Sequence, residues 1–363
     1  MSEKLSALIA KIKNKESLTE EECLDVLDKK EIQLLPLLNA AFSFRQDSWG
    51  KKVQIHILNN VQNGLCPEEC HYCAQSKSSK APIEKYKKKS ESDILAEAKK
   101  AYESGAHRYC MVFSGRGPTY GRSKQIADLV QKIKKDYPLE VCVSAGLMDQ
   151  KDTDLLKEAG LDRLNHNLNT SEGYYDKICT THTFQDRLKT LSSAQRSGLE
   201  ICSGVIIGMG ESNQDIIQVA QNLKKLKVES IPVNFYMPIK GTVLQQQNIR
   251  SELSPEFCLR ELCLFRFLNP TAEIRVAAGR ELHLRALQPL ALYPANSLFM
   301  EGYLNTKGTT VSETLQMIKD LDFEIESNHK LDDILKKESE TKNDISENII
   351  LKGPEELMVQ PTV

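Results

Sequence analysis

From residue 50 to about residue 300 the chain alternates short apolar runs with longer stretches whose apolar positions recur every three or four residues. The short runs predict buried strands at 53–58, 108–113, 140–145, 162–168, 200–207, 230–236, 273–278 and 296–300. The amphipathic stretches between them predict helices near 91–104, 120–135, 150–159, 183–197, 212–226, 254–268 and 282–292. Gly105, Gly160 and Gly198 each follow a helical stretch, where a glycine stops a helix in left-handed backbone. Eight strands alternating with helices over roughly 270 residues have the count and size of a (β/α)8 TIM-type barrel, an α/β fold. A doubly wound open sheet is the alternative, but no dinucleotide fingerprint follows the first strand.

The pattern differs at both ends. Residues 1–48 read as a helical extension: Leu5, Leu8, Ile9 and Ile12 share a face, and Thr19 with Glu22 reads as a capping box. Pro36 is expected to interrupt or end a helical run there. Residues 49–325 form the barrel. Residues 326–363 are polar, as in Lys336-Lys337-Glu338-Ser339-Glu340, and read as a weakly helical or flexible tail that buries too little apolar surface to order itself.

Composition narrows the function. Lys+Arg at 48 against Asp+Glu at 50 leaves a net charge of −2, which argues for neither a nucleic-acid partner nor an anionic membrane. No stretch reaches the ~18 apolar residues of a membrane span. The start has no secretory pattern, so a cytoplasmic protein is expected. Ten cysteines in a reducing compartment argue for metal ligation or free thiols over disulfides.

Three cysteines fall within eight residues, as Cys66-Pro67-Glu68-Glu69-Cys70-His71-Tyr72-Cys73. A structural zinc site closes with four ligands. A four-iron cluster on three thiolates leaves one iron open to a reacting cofactor. A zinc knuckle with a remote fourth ligand is the other reading. Cys110, Cys142 and Cys202 lie on predicted strands two, three and five, and Arg275 lies on the seventh. Each cysteine alone fits a small core hydrophobe, whereas together they can converge inside a closed barrel. Cys23, Cys179, Cys258 and Cys263 read as packing residues. On the fourth strand Asn165, Asn167 and Asn169 share one face, with His166, a structural residue, and Leu168 on the other. Such a row of amides suits a ligand with amide or hydroxyl groups, or else forms a satisfied internal network. Asn234 adds an amide on the sixth strand. The glycines of Gly204-Val205-Ile206-Ile207-Gly208-Met209-Gly210 would let backbone approach a nucleotide.

The run CPEECHYCAQS, followed by RYCM, EVCVSAG, LDRLNHNLNTS, ICSGVIIGMGE, PVNFY, IRVAAGRE and ANSLF, resembles the biotin synthase family of radical S-adenosylmethionine enzymes over roughly residues 45 to 325. The resemblance implies a [4Fe-4S] cluster on Cys66, Cys70 and Cys73, and a [2Fe-2S] cluster on Cys110, Cys142, Cys202 and Arg275. It implies S-adenosylmethionine contacts at Tyr72, Asn167, Asn169, Arg187 (for the methionine carboxylate) and Gly208. Substrate contacts are implied at Asn165, Asn167, Asn169, Asn234, Asn305 and Thr306, with dethiobiotin as substrate. The implied reaction is a sulfurtransferase step: a 5′-deoxyadenosyl radical takes hydrogen at C9 and then C6, and sulfur enters from the [2Fe-2S] cluster. Reduced flavodoxin or ferredoxin, cluster-assembly proteins and a homodimer are the implied partners. Two departures stand out. Asn169 replaces the usual aspartate, and Asn305-Thr306 replaces a usual Thr-Thr pair. The competing readings are another enzyme of the same branch, hydrogenase-maturase- or mutase-like, and a non-catalytic iron–sulfur electron carrier.

Overall fold

A computed structural model of the chain describes residues 2–247, 249 and 253–339. Strands β1 (Lys52–Gln62), β2 (Arg108–Phe113), β3 (Glu140–Ser144), β4 (Arg163–Asn165), β5 (Glu200–Cys202), β6 (Val205–Ile207), β7 (Ser230–Phe235), β8 (Glu273–Val276) and β9 (Ser297–Met300) follow the predicted apolar runs. All pair in parallel, and β9 returns to β1 with Gln54 opposite Ser297 and Ile57 opposite Met300. The sheet is thereby closed, and the predicted TIM-type barrel is the fold.

β5 and β6 together occupy one barrel position, because the predicted strand 200–207 breaks in the middle. Gly204 lies at the break, and a Cβ there would sit 1.9 Å from the Pro232 carbonyl oxygen. The close approach lets β5 touch β7 at Cys202 opposite Ser230, while β6 resumes beside it from Val205. β4 is shorter than the predicted 162–168 for the same reason. Beyond Asn165 its neighbour has turned away, and only a single bridge, Asn169 to Val205, continues the pairing.

The outer helices match the amphipathic stretches, from Glu91–Glu103 to Pro255–Leu268. Gly105, Gly160 and Gly198 stand after three of them with φ of +79°, +87° and +74°. The last stretch is less regular: Arg280–Leu284 is α-helical, but Arg285–Leu292, which contains Pro289, winds as a 3₁₀-helix.

The N-terminal helices Glu3–Lys13, Glu20–Leu27 and Leu34–Trp49 form a layer against the barrel. The Thr19–Glu22 box is present, with the Glu22 amide donating to Thr19 Oγ1 at 3.2 Å and the Thr19 amide to Glu22 Oε2 at 2.8 Å. Pro36 corrects its expectation, for it stands in the first turn of Leu34–Trp49 instead of ending a helix. Amides there have no intrahelical acceptor, so proline costs nothing. At the other end, Leu331–Ser339 is a helix whose Ile334 is buried and packs beside Gly105. That part of the tail takes the helical alternative, docked by one apolar face; residues 340–363 lie outside the description. Among the described residues no helix is long and apolar enough to cross a membrane.

Candidate active site

One cavity of about 280 Å³ runs into the barrel from the C-terminal ends of its strands. Cys66, Cys70 and Cys73, on the loop after β1, line it together with Tyr72. Deeper, Cys110 on β2 stands in register with Cys142 on β3, and both sulfurs face the same space. Arg275 on β8 lines it too, and its Nη1 lies 3.7 Å from Cys202 Sγ. Cys202 itself is fully buried behind that surface. The loop cysteines and the pair Cys110 and Cys142 therefore meet one cavity at two depths, with Cys202 buried beside Arg275.

The donor chemistry suits the implied groups. All ten cysteines are free thiols. Cys142 donates to the Cys110 sulfur, so the Cys110 thiol is held below its ordinary value and that of Cys142 well above it. Arg275 and Arg108 add positive charge that favours thiolate at Cys110. Burial pushes Cys73 up to about 11. Deprotonation there calls for a metal's charge, as thiolate ligands ordinarily require.

The amides are brought together, with different partners. Asn165 Nδ2 donates to Asn167 Oδ1 at 3.2 Å and lies 3.2 Å from Cys202 Sγ, and Gly204 donates its amide to Asn167 Oδ1 at 3.1 Å. Asn169 donates to the Tyr72 hydroxyl at 2.7 Å. Asn234 lines the cavity, yet its amide is bonded to Val205 O at 3.0 Å and by the Ala278 amide at 3.1 Å. Asn305 pairs reciprocally with Asn63 at 2.7 and 3.1 Å, and Thr306 Oγ1 donates to Tyr303 O at 2.8 Å. His166 departs from its expected place facing away. It lines the cavity and its Nε2 has no partner, because the strand alternation stops at Asn165. Gly208 stays outside the cavity lining, with its amide donating to Glu211 at 2.6 Å.

Arg187 comes from the helix Phe184–Arg196 and is buried. Its Nη1 donates to Asn167 O at 2.8 Å, and its Nε donates to the Tyr175 hydroxyl. Nη2 lies 3.4 Å from His182 Nε2. Cys179, read as a packing residue, is buried in the core, and its sulfur also lies 3.8 Å from Cys70 Sγ and 3.6 Å from His182 Nε2. Sequence gave no reason to bring a residue over a hundred positions away beside the loop.

A charged layer beneath the cavity was also missed. Glu273 is fully buried; its Oε2 accepts from Arg108 at 3.1 Å and from Arg163 at 2.5 Å. Oε1 accepts from Ser297 at 2.8 Å and from Arg275, and lies 2.9 Å from His56 Nε2. Burial alone would keep Glu273 neutral, but Arg275, His56 and Arg163 hold it well below the ordinary carboxylate range. The signal was present. Arg108, Arg163 and Glu273 each stand two residues before a predicted cavity residue (Cys110, Asn165 and Arg275), hence one layer down on the same strand face.

The model of the Radical SAM superfamily matches residues 62–223, and that of the Biotin and Thiamin Synthesis associated domain matches 232–324. Biotin synthase of Magnetococcus marinus is 56% identical over 303 residues, covering 84% of this chain and 94% of that protein. Biotin synthase of Acaryochloris marina is 51% identical over 337 residues, covering 93% and 96%. Among solved structures, methylornithine synthase (PylB) superposes with a TM-score of 0.76 at 20% identity, covering 90% of this chain and 98% of that one. The FeFe-hydrogenase maturase HydG from Carboxydothermus hydrogenoformans gives 0.75 at 18% identity, covering 91% and 80%. These two likenesses speak for the fold alone.

Proposed function

We propose that this chain, which belongs to the biotin synthase family of the radical S-adenosylmethionine superfamily, is a sulfurtransferase that closes the thiophane ring of biotin by inserting sulfur between C6 and C9 of dethiobiotin. The observation that carries this reading is the pair of cysteine sets at two depths of one cavity. Cys66, Cys70 and Cys73 would hold the [4Fe-4S] cluster of the superfamily, and Cys110, Cys142, Cys202 and Arg275 a [2Fe-2S] cluster. When bound, the first with S-adenosylmethionine supplies a carbon radical able to take hydrogen from an unactivated C–H bond, and the second supplies sulfur.

The chain's own residues position and exclude. Arg187, held by Asn167 and Tyr175, offers a fixed cation for the methionine carboxylate. Asn165 spans Cys202 and Asn167, so a urea-like ring hydrogen-bonded to it would lie beside the Cys202 sulfur. Tyr72 and Asn169 form a hydroxyl–amide pair suited to ribose hydroxyls. The enclosing barrel keeps water from the radical. Beneath, Glu273 fixes the guanidinium of Arg275 against the Cys202 sulfur. The charge of that arginine balances thiolates without requiring it to lose its proton. An electron from reduced flavodoxin or ferredoxin, cluster-assembly proteins and a homodimer belong to the same proposal.

The test is product analysis under anaerobic conditions with the reconstituted full chain, dethiobiotin, S-adenosylmethionine and dithionite. Biotin with 5′-deoxyadenosine is the expected outcome. Cleavage of S-adenosylmethionine without biotin would favour another enzyme of the branch, and no cleavage would favour an electron carrier.

A further inference from the structure

Cys70, Cys179 and His182 place their ligand atoms at three nearly equal separations. Cys70 Sγ to Cys179 Sγ is 3.8 Å, Cys70 Sγ to His182 Nε2 is 3.6 Å, and Cys179 Sγ to His182 Nε2 is 3.6 Å. Metal–sulfur bonds of about 2.3 Å and metal–nitrogen bonds of about 2.0–2.1 Å at tetrahedral angles give edges of about 3.8 Å between two sulfurs and about 3.5 Å between sulfur and nitrogen. The edge lengths match one face of that tetrahedron, and because Cys179 Sγ is also 3.4 Å from His182 Nδ1 the imidazole must turn for Nε2 to face the shared ion. Among the described residues it is also the group of three His, Cys, Asp or Glu side chains close enough to share one ion.

We propose that the cluster-free chain binds a single divalent zinc-class ion at Cys70, Cys179 and His182, a site that shares Cys70 with the [4Fe-4S] cluster and excludes it. The surroundings are those of a ligand set. The Tyr175 hydroxyl is 3.0 Å from His182 Nδ1, the ring nitrogen left over when Nε2 faces an ion, and so orients the imidazole. Glu68 is buried and its Oε2 lies 3.7 Å from His182 Nε2, which adds negative charge beside the triangle. Cys70 and His182 line the cavity, which gives the ion its entry path. One group opposes it: the Arg187 guanidinium, 3.4 Å from the same nitrogen, disfavours a second cation. The site is therefore weaker than a closed four-ligand zinc site, so a chelator can clear it before cluster assembly. Exclusion of the cluster rests on the proposed role of Cys70, whereas the ion site rests on the triangle alone.

The test titrates the apo full chain with Co²⁺ under a reductant, then displaces it with Zn²⁺. The wild-type chain should bind one Co²⁺ with sulfur-to-metal charge transfer and tetrahedral ligand-field bands. The Cys66→Ser/Cys73→Ser double variant should do the same. Cys179→Ser and His182→Ala should each weaken binding at least tenfold, and circular dichroism melts identify any variant that fails to fold. Zinc-loaded wild-type chain should take up no [4Fe-4S] cluster until a chelator removes the zinc. No cobalt uptake by the wild-type chain would overturn the proposal. So would unchanged affinity in folded Cys179→Ser, or loss of the site in the folded double variant, which would assign the ion to the Cys66–Cys73 loop. None of these outcomes touches the sulfur-insertion reading, because none measures turnover.

Discussion

Asn169 holds a φ of +70° while its amide reaches the Tyr72 hydroxyl. Asparagine, aspartate and glycine tolerate that backbone region better than other residues. Asn169→Asp should therefore fold normally and bind S-adenosylmethionine at least as tightly, its carboxylate accepting from hydroxyls. Asn169→Gly keeps the backbone and removes the amide, so a loss of about 1 kcal/mol, some fivefold in affinity, is expected. Calorimetric titration of the reconstituted protein checks both, and a glycine variant of wild-type affinity would show that the amide makes no contact with the cofactor. Glu273 is the other decisive side chain. Glu273→Gln leaves Arg108, Arg163 and Arg275 buried around a neutral amide and should cost about 3–5 kcal/mol in urea unfolding. Arg275→Met should cost less, since Arg108 and Arg163 still neutralise the carboxylate. The sign with pH follows. Glu273 has a folded value well below its ordinary 4.5, so its contribution is full above that value and is lost as pH falls toward the folded one. Glu273→Gln should flatten that acid limb.

At the scale of elements, the break between β5 and β6 governs the site. Gly204→Ala would drive a Cβ into the Pro232 carbonyl, backbone that has no rotamer to yield. It should cost more than the ~1–3 kcal/mol of ordinary overpacking. Because Cys202 pairs with Ser230 just before the break, the same change should lower [2Fe-2S] content after reconstitution. Gly121, in the helix Tyr120–Asp136 with nothing within 4 Å of an added Cβ, is the control. Gly121→Ala should stabilise by about 0.5–1 kcal/mol with cluster content unchanged. Equal cluster yield from both variants would sever the strand break from the placement of Cys202.

Over the whole molecule, the N-terminal layer and the barrel share buried bonds. Arg260, on the helix Pro255–Leu268, is buried and donates to Val26 O at 3.0 Å and Ile32 O at 2.5 Å. Removing residues 1–33 would strand those donors and expose an apolar face. The truncated chain should unfold at least 10 °C lower or fail to remain soluble, and a thermal scan matching the full chain would make the extension dispensable. The two cysteine sets should also separate spectroscopically. Cys66→Ala should remove the [4Fe-4S] signal and keep the [2Fe-2S] absorption, Cys142→Ala the reverse, and loss of both signals from a folded single variant would refute two sites. The barrel and the residues that line its cavity were largely legible in the chain, because strand and helix periods and a three-cysteine loop are local, and each strand's alternation assigns its own inward face. What adjoins what across the barrel was not. The meeting of Cys179 and His182 with Cys70, the partners that already occupy Asn234 and Asn305, and the carboxylate of Glu273 shared among three arginines all depend on closure. Only when β9 pairs with β1 do residues from distant strands enter one dry interior, where an unpaired polar group is costly and every partner must be found.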